Sequence, residues 1–150
     1  MSVRKGDIVW AARSYIGTPF HHQGRLPGVG LDCMGVPWCA LRAAGRVVTG
    51  RIDYPRAPNG KLLDELGAQF WAVDPALAES GDLLIGELQT ARHPWHGYIL
   101  DDEGERPRVI HASAACGPKG SVVSERYTDE IRSRIVRAYD LTRDATGALV

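Results

Sequence analysis

LDCMGVPWCALRAAG, Leu31 to Gly45, decides the fold. An acidic residue precedes a cysteine at the head of an apolar run, and the run ends in glycine. Asp32 stands at or near a helix N-cap and Gly45 at a helix stop. The pattern predicts a helix across this stretch. Pro37 fits a first turn but kinks a helix interior, so a kink or a tight, irregular first turn is expected around Cys33. Unpaired amides and the helix dipole at such a tip favour a thiolate. Cys33 is therefore the candidate nucleophile, with Gly35 letting the backbone pack closely against a substrate.

Upstream, Ile8, Ala11, Ala12, Tyr15 and Ile16 recur at helical spacing behind Asp7, and Gly17 with Pro19 ends that helix. FHHQGRLPGVGLD, Phe20 to Asp32, is a glycine-rich loop. Downstream, the turn-rich GRIDYPRAPNG leads to a third helix near Lys61 to Trp71, with Leu62, Leu63, Leu66 and Phe70 on one face. From Gly81 on, DLLIGEL, GYILDD, RVIHASA, SVVSERY and RIVRAYDL are short β-rich runs separated by turns. Helices first and strands afterwards predict an α+β domain with a mainly antiparallel sheet, spanning residues 1–150, and a loose tail from Thr142.

Lys+Arg and Asp+Glu both number 18, and a formal charge of zero argues against a nucleic-acid binder, which wants a clearly basic surface. No stretch reads as a secretory signal or a membrane span, so cytoplasmic synthesis is expected. Three cysteines, Cys33, Cys39 and Cys116, do not suggest a disulfide framework, which leaves Cys39 and Cys116 as spectators. His21, His22 and His93 lack a metal-binding frame, and no metal or cofactor is expected.

A cysteine nucleophile needs a base and an orienting partner for that base. His96 precedes one β-rich run and His111 lies in the next. If the two strands pair as a hairpin, both imidazoles share a face near the helix tip. His96 would take the thiol proton and His111 would hold its ring in one tautomer.

LDCMG (Leu31 to Gly35) resembles the (F/L)DCSG nucleophile motif of the NlpC-type cell-wall cysteine peptidases, a papain-like family. YIGTPFHHQG (Tyr15 to Gly24) is similar to their G-T-x-Y-x-x-G-G segment, and GDLLIGEL (Gly81 to Leu88) to their GDLVFF strand. HGYILDD (His96 to Asp102) is similar to the histidine strand HVGIYLGD, and VIHAS (Val109 to Ser113) to the strand that supplies the third polar residue. The resemblance covers roughly residues 5–140 in family order. The HQGRLPGVGLDC run looks most like the bacteriophage-tail and gene-transfer-particle subgroup, which implies a place in a virion or tail particle and phage-tail proteins as partners.

The resemblance implies Cys33 as nucleophile, His96 as base and His111 as orienter, in a hydrolase that cleaves amides in peptidoglycan stem peptides without a metal. Phe20, His22, Gln23, Asp32, Met34 and Trp95 are the expected substrate-binding residues. The sequence departs from the family at Met34 and Pro37, and at Phe20, which lacks the hydroxyl of the usual tyrosine. His22 or Gln23 would donate in its place. A weak or inactive tail module that binds peptidoglycan, and an acyltransferase on the same fold, are the alternatives.

Overall fold

The computed structural model describes residues 2–48, 61–88, 95–115, 117 and 119–150. Its centre is a six-stranded antiparallel sheet in the order β3-β8-β4-β5-β6-β7. The strands are β3 (Trp71–Val73), β4 (Leu83–Glu87), β5 (Trp95–Asp101), β6 (Arg108–Ser113), β7 (Ser121–Arg126) and β8 (Ile135–Asp140). A small antiparallel hairpin, β1 (Arg25–Leu26) with β2 (Gly30–Leu31), stands apart. The helices are α1 (Lys5–Ser14), α2 (Gly35–Ala43), α3 (Lys61–Gln69) and α4 (Asp129–Arg134). This is the α+β architecture the sequence predicts.

Period-two alternation gives each strand one residue for each side of the sheet. Leu83, Ile85, Ile99, Ile110, Ala112 and Val122 point to the side covered by α1, α2 and α3, where they meet Ile8, Ala12, Val36, Ala40, Leu66 and Phe70. Leu84, Tyr98, Leu100, Val109 and Ala138 point the other way, under Ile131 of α4 and Tyr127. Salt bridges lock α1 in place. Arg13 grips Asp101 of β5 through two bonds of 2.7 and 2.8 Å, and Lys5 reaches Asp82 at 3.0 Å and Asp140 at 3.4 Å.

The structure corrects several expectations. The helix of the decisive stretch begins at Gly35, two residues beyond Cys33, so Pro37 falls in its first turn, where its missing N–H costs nothing. The third helix stops at Gln69, and Trp71 opens β3, pairing with Asp140. The tail is not loose. Asp144 accepts from the Thr146 and Ala148 amides, Val150 donates to the Thr142 carbonyl, and Val3 donates to the Val150 carbonyl. Cys116 and His93 lie outside the described residues.

Candidate active site

Asp32 organises the tip of α2. Its Oδ1 accepts from the amides of Met34 at 3.1 Å and Gly35 at 2.8 Å, and from Arg25 Nη1 at 2.8 Å. Its Oδ2 accepts from the Gln23 amide at 2.7 Å. Asp32 is only 2% exposed, so its carboxylate is an anchor for the loop rather than a surface that meets substrate. Gln23 has φ of 60°, the sole non-glycine residue with a positive φ among those described. Such a conformation carries strain, and the Asp32 bond holds it there. One buried anion thus ties the histidine-containing loop to the turn bearing Cys33.

That anchoring overturns the expected thiol chemistry. The helix-tip amides serve the Asp32 carboxylate. Burial pushes the Cys33 thiol up to about 12, and the Asp32 charge adds to the rise. The Gly97 backbone N–H, Arg25 and the cysteine's own amide favour the thiolate but do not prevail. Gly35 also departs from expectation. It is buried, and a Cβ there would strike the Gly24 carbonyl, so its smallness serves loop packing and not substrate approach.

His96 on β5 and His111 on β6 do come together. His96 Nε2 and His111 Nδ1 are 2.7 Å apart, with ring centroids 4.9 Å apart and the planes nearly perpendicular. The Tyr98 ring lies 4.7 Å from each. Burial drives His96 down to about 3, helped by the neighbouring His111, and burial also lowers His111 against the pull of Glu125. Both imidazoles therefore rest neutral. They share one face, but it is the face of Tyr98 and Val109, opposite the one on which α2 packs. The reason is alternation: Ile99 and Ile110 face the helices, so the residues an odd number of steps away face α4.

Gly97 joins the two halves of the site. A Cβ there would lie 3.0 Å from the Cys33 carbonyl and 3.1 Å from Met34 Sδ, so glycine lets the turn bearing Cys33 rest on β5 without crowding. The sulfur is thereby held against the backbone next to His96. The β5–β6 ladder stops at Ile99 and Ile110, leaving Gly97 beyond its end. Among the described residues no hydrogen bond joins the sulfur to either imidazole.

The remaining expected residues surround this centre. Phe20 is half-buried against the core and bridges to Leu31. His22 is half-buried in the Asp32-tied loop, while His21 is exposed. Met34 and Trp38 line an apolar groove with Leu62, Leu66 and Phe70, which contains neither histidine of the pair. Trp95 packs on the helix side of β5, and its buried Nε1 has no hydrogen-bond partner among the described residues. Cys39 is buried with its sulfur 3.3 Å from the Arg25 carbonyl. Sequence reasoning passed over Gly97, Tyr98, Arg25 and Glu125. A glycine inside a strand was the available signal for Gly97, since it marks close approach of another backbone.

The NlpC/p60 domain of the peptidoglycan hydrolase SagA superposes with a TM-score of 0.62 at 24% identity, covering 92% of this chain and 99% of that one. The fold is that of the NlpC/p60 domains. An NlpC/p60 family protein from Bacillus cereus matches with a TM-score of 0.66 at 19% identity, covering 94% of this chain. A lipoprotein-like NLP/P60 family protein from Staphylococcus aureus matches with a TM-score of 0.60 at 22% identity, covering 91%. This chain spans 41% of the length of each of the latter two. No protein-family model and no curated protein matches the chain.

Proposed function

We propose that this chain is a cysteine hydrolase that cleaves amide bonds in peptidoglycan stem peptides, with Cys33 as nucleophile, His96 as base and His111 as its orienter. One observation carries the reading: a 2.7 Å bond between the half-buried His96 imidazole and the buried His111 imidazole, next to the strand residue against which the Cys33 sulfur rests. That bond occupies His96 Nε2 and leaves Nδ1 for the thiol. The likeness to the domain of a peptidoglycan hydrolase supports the substrate class, as do the motifs from Leu31 to Ser113.

Charging either group alone is opposed by burial. Moving the proton from sulfur to His96 Nδ1 creates opposite charges side by side, and their attraction in a low-dielectric site offsets much of that cost. The transfer requires sulfur and Nδ1 to come within hydrogen-bond reach in the substrate complex, where catalytic contacts commonly tighten. The thiolate then attacks the amide carbon. The C–N bond breaks as His96 returns its proton to the leaving amine, which leaves a thioester on Cys33. Water, deprotonated by His96, releases the acid and restores the thiol. Phe20 supplies no hydroxyl to the oxyanion. We assign that donation to the His22–Gln23 stretch, with Phe20, Met34 and Trp95 as walls.

The purified protein should release products from peptidoglycan or a synthetic stem peptide whose mass includes added water, and Cys33→Ala should abolish release. Equal digestion by that variant removes Cys33 from the reaction. Product carrying an added amine in place of water would assign acyl transfer instead. A second reading, a peptidoglycan-binding module without turnover, draws on the raised thiol pKa and on Phe20. Turnover by the wild type excludes it. The HQGRLPGVGLDC run supports placing the protein in a phage-derived tail particle, and its co-purification with such particles tests that placement.

A further inference from the structure

We infer that Glu125 is a positioning residue that fixes which nitrogen of His96 carries the lone pair. The inference rests on the reading of His96 as base. Glu125 lies on β7 opposite Val109, two residues from His111 on the same face, a diagonal neighbour that a long side chain reaches. Its Oε2 is 3.5 Å from His111 Nε2. That nitrogen is buried and has no closer hydrogen-bond partner among the described residues, and His111 is only 6% exposed.

Proton counting makes the carboxylate decisive. A single proton lies between His96 Nε2 and His111 Nδ1, and two arrangements are open to it. In one, His111 donates to His96. Nδ1 of His96 then carries its own hydrogen and cannot take another from a thiol without first losing it. In the other, His96 donates, and its Nδ1 holds a free lone pair. An ionised carboxylate only accepts. By accepting from His111 Nε2–H, Glu125 leaves Nδ1 of His111 as an acceptor and selects the second arrangement. The half-exposed Glu125 side chain needs only a small adjustment to shorten its contact. The charge that forms on His96 during turnover is met by the same carboxylate through His111.

The test is the ring-nitrogen chemical shifts of His96 and His111 in the folded protein near neutral pH. In the wild type both rings should be protonated at Nε2. Glu125→Gln keeps the shape but presents a neutral amide that donates as readily as it accepts. It should lower the ratio of the selected tautomer about tenfold, the difference between a charged and a neutral acceptor. The rate constant for turnover should fall by the factor by which the population of that tautomer falls, with KM unchanged. Glu125→Ala should do the same, and either variant suffices if the other fails to fold. Unaltered tautomers in both would overturn the inference. Loss of the base reading would instead show as turnover that survives Cys33→Ala or His96→Gln, with the nitrogen shifts still responding to Glu125.

Discussion

On one side of the sheet, Ile99 and Ile110 vanish beneath three helices; on the other, an odd number of steps along the same strands, His96 and His111 bond to each other beside Tyr98. Alternation delivers both surfaces from the same two strands, yet they obey different rules. Apolar side chains gain free energy by leaving water. The imidazoles lose it if they charge, and so rest neutral. One side holds the chain together, whereas the other stores two proton acceptors that are reluctant to be charged. The turn bearing Cys33 rests on the first side, over Gly97, and the two imidazoles lie on the second.

Mutations that separate stability from chemistry sharpen this contrast. Ile99→Ala should cost the most, about 2–5 kcal/mol in urea denaturation, because it empties a site with no solvent exposure. A loss below about 0.5 kcal/mol, the low end of even a single-methylene deletion, would break the distinction.

Acid should act through the other side. His96 folded titrates near 3, well below the ordinary value of 6.5, so the unfolded chain binds a proton that the folded chain refuses. Stability should therefore be full above 6.5 and fall as pH drops toward 3, by up to about 1.4 kcal/mol per unit for each such histidine. His111, also lowered, adds to the slope. Asp101, held down by Arg13, yields only further into acid. Denaturation from pH 7 to pH 4 should show this decline in the wild type, and His96→Gln should flatten it. An unchanged slope in that variant would remove His96 as its source.

The smallest effect should come from Thr128→Ala. Thr128 caps α4 by accepting from the Ile131 amide at 3.3 Å, and α4 covers the histidine side. The loss should be about 1 kcal/mol, and the same loosening should raise the His96 pKa measured by NMR. A stability change without movement of that pKa would show that α4 does not keep the ring dry.

Much of this was written in the chain and some was not. The β-rich runs from Leu83 to Asp140 carry their own alternation, and Asp32 before Cys33 reads as a cap. Pairing His96 with His111 needed only the hairpin. What local sequence does not carry is competition. Asp32 takes the very amides that would have stabilised a thiolate, because Arg25 and Gln23 fold back seven and nine residues to fix it there. Strands as short as β1, β2 and β3 leave no periodic trace. The tail has the composition of a loose end, yet an Asp144 turn and a bond to Val3 pin it. Facing direction was equally hidden, since a strand pattern marks two sides without saying which one a helix will choose.

The borders of the sheet carry a consequence for edge-to-edge association. Along the start of β7, Gly17 and Phe20 donate to the Val122 and Gly120 carbonyls, Val122 donates to Thr18, and Pro19, with no hydrogen to offer, bridges to Ser121. Further along, Glu125 and Arg126 place charges on that margin. The opposite margin, β3, is three residues long. Among the described residues, neither rim presents a long, bare row of backbone groups to a neighbouring molecule, which disfavours edge-to-edge pairing between copies.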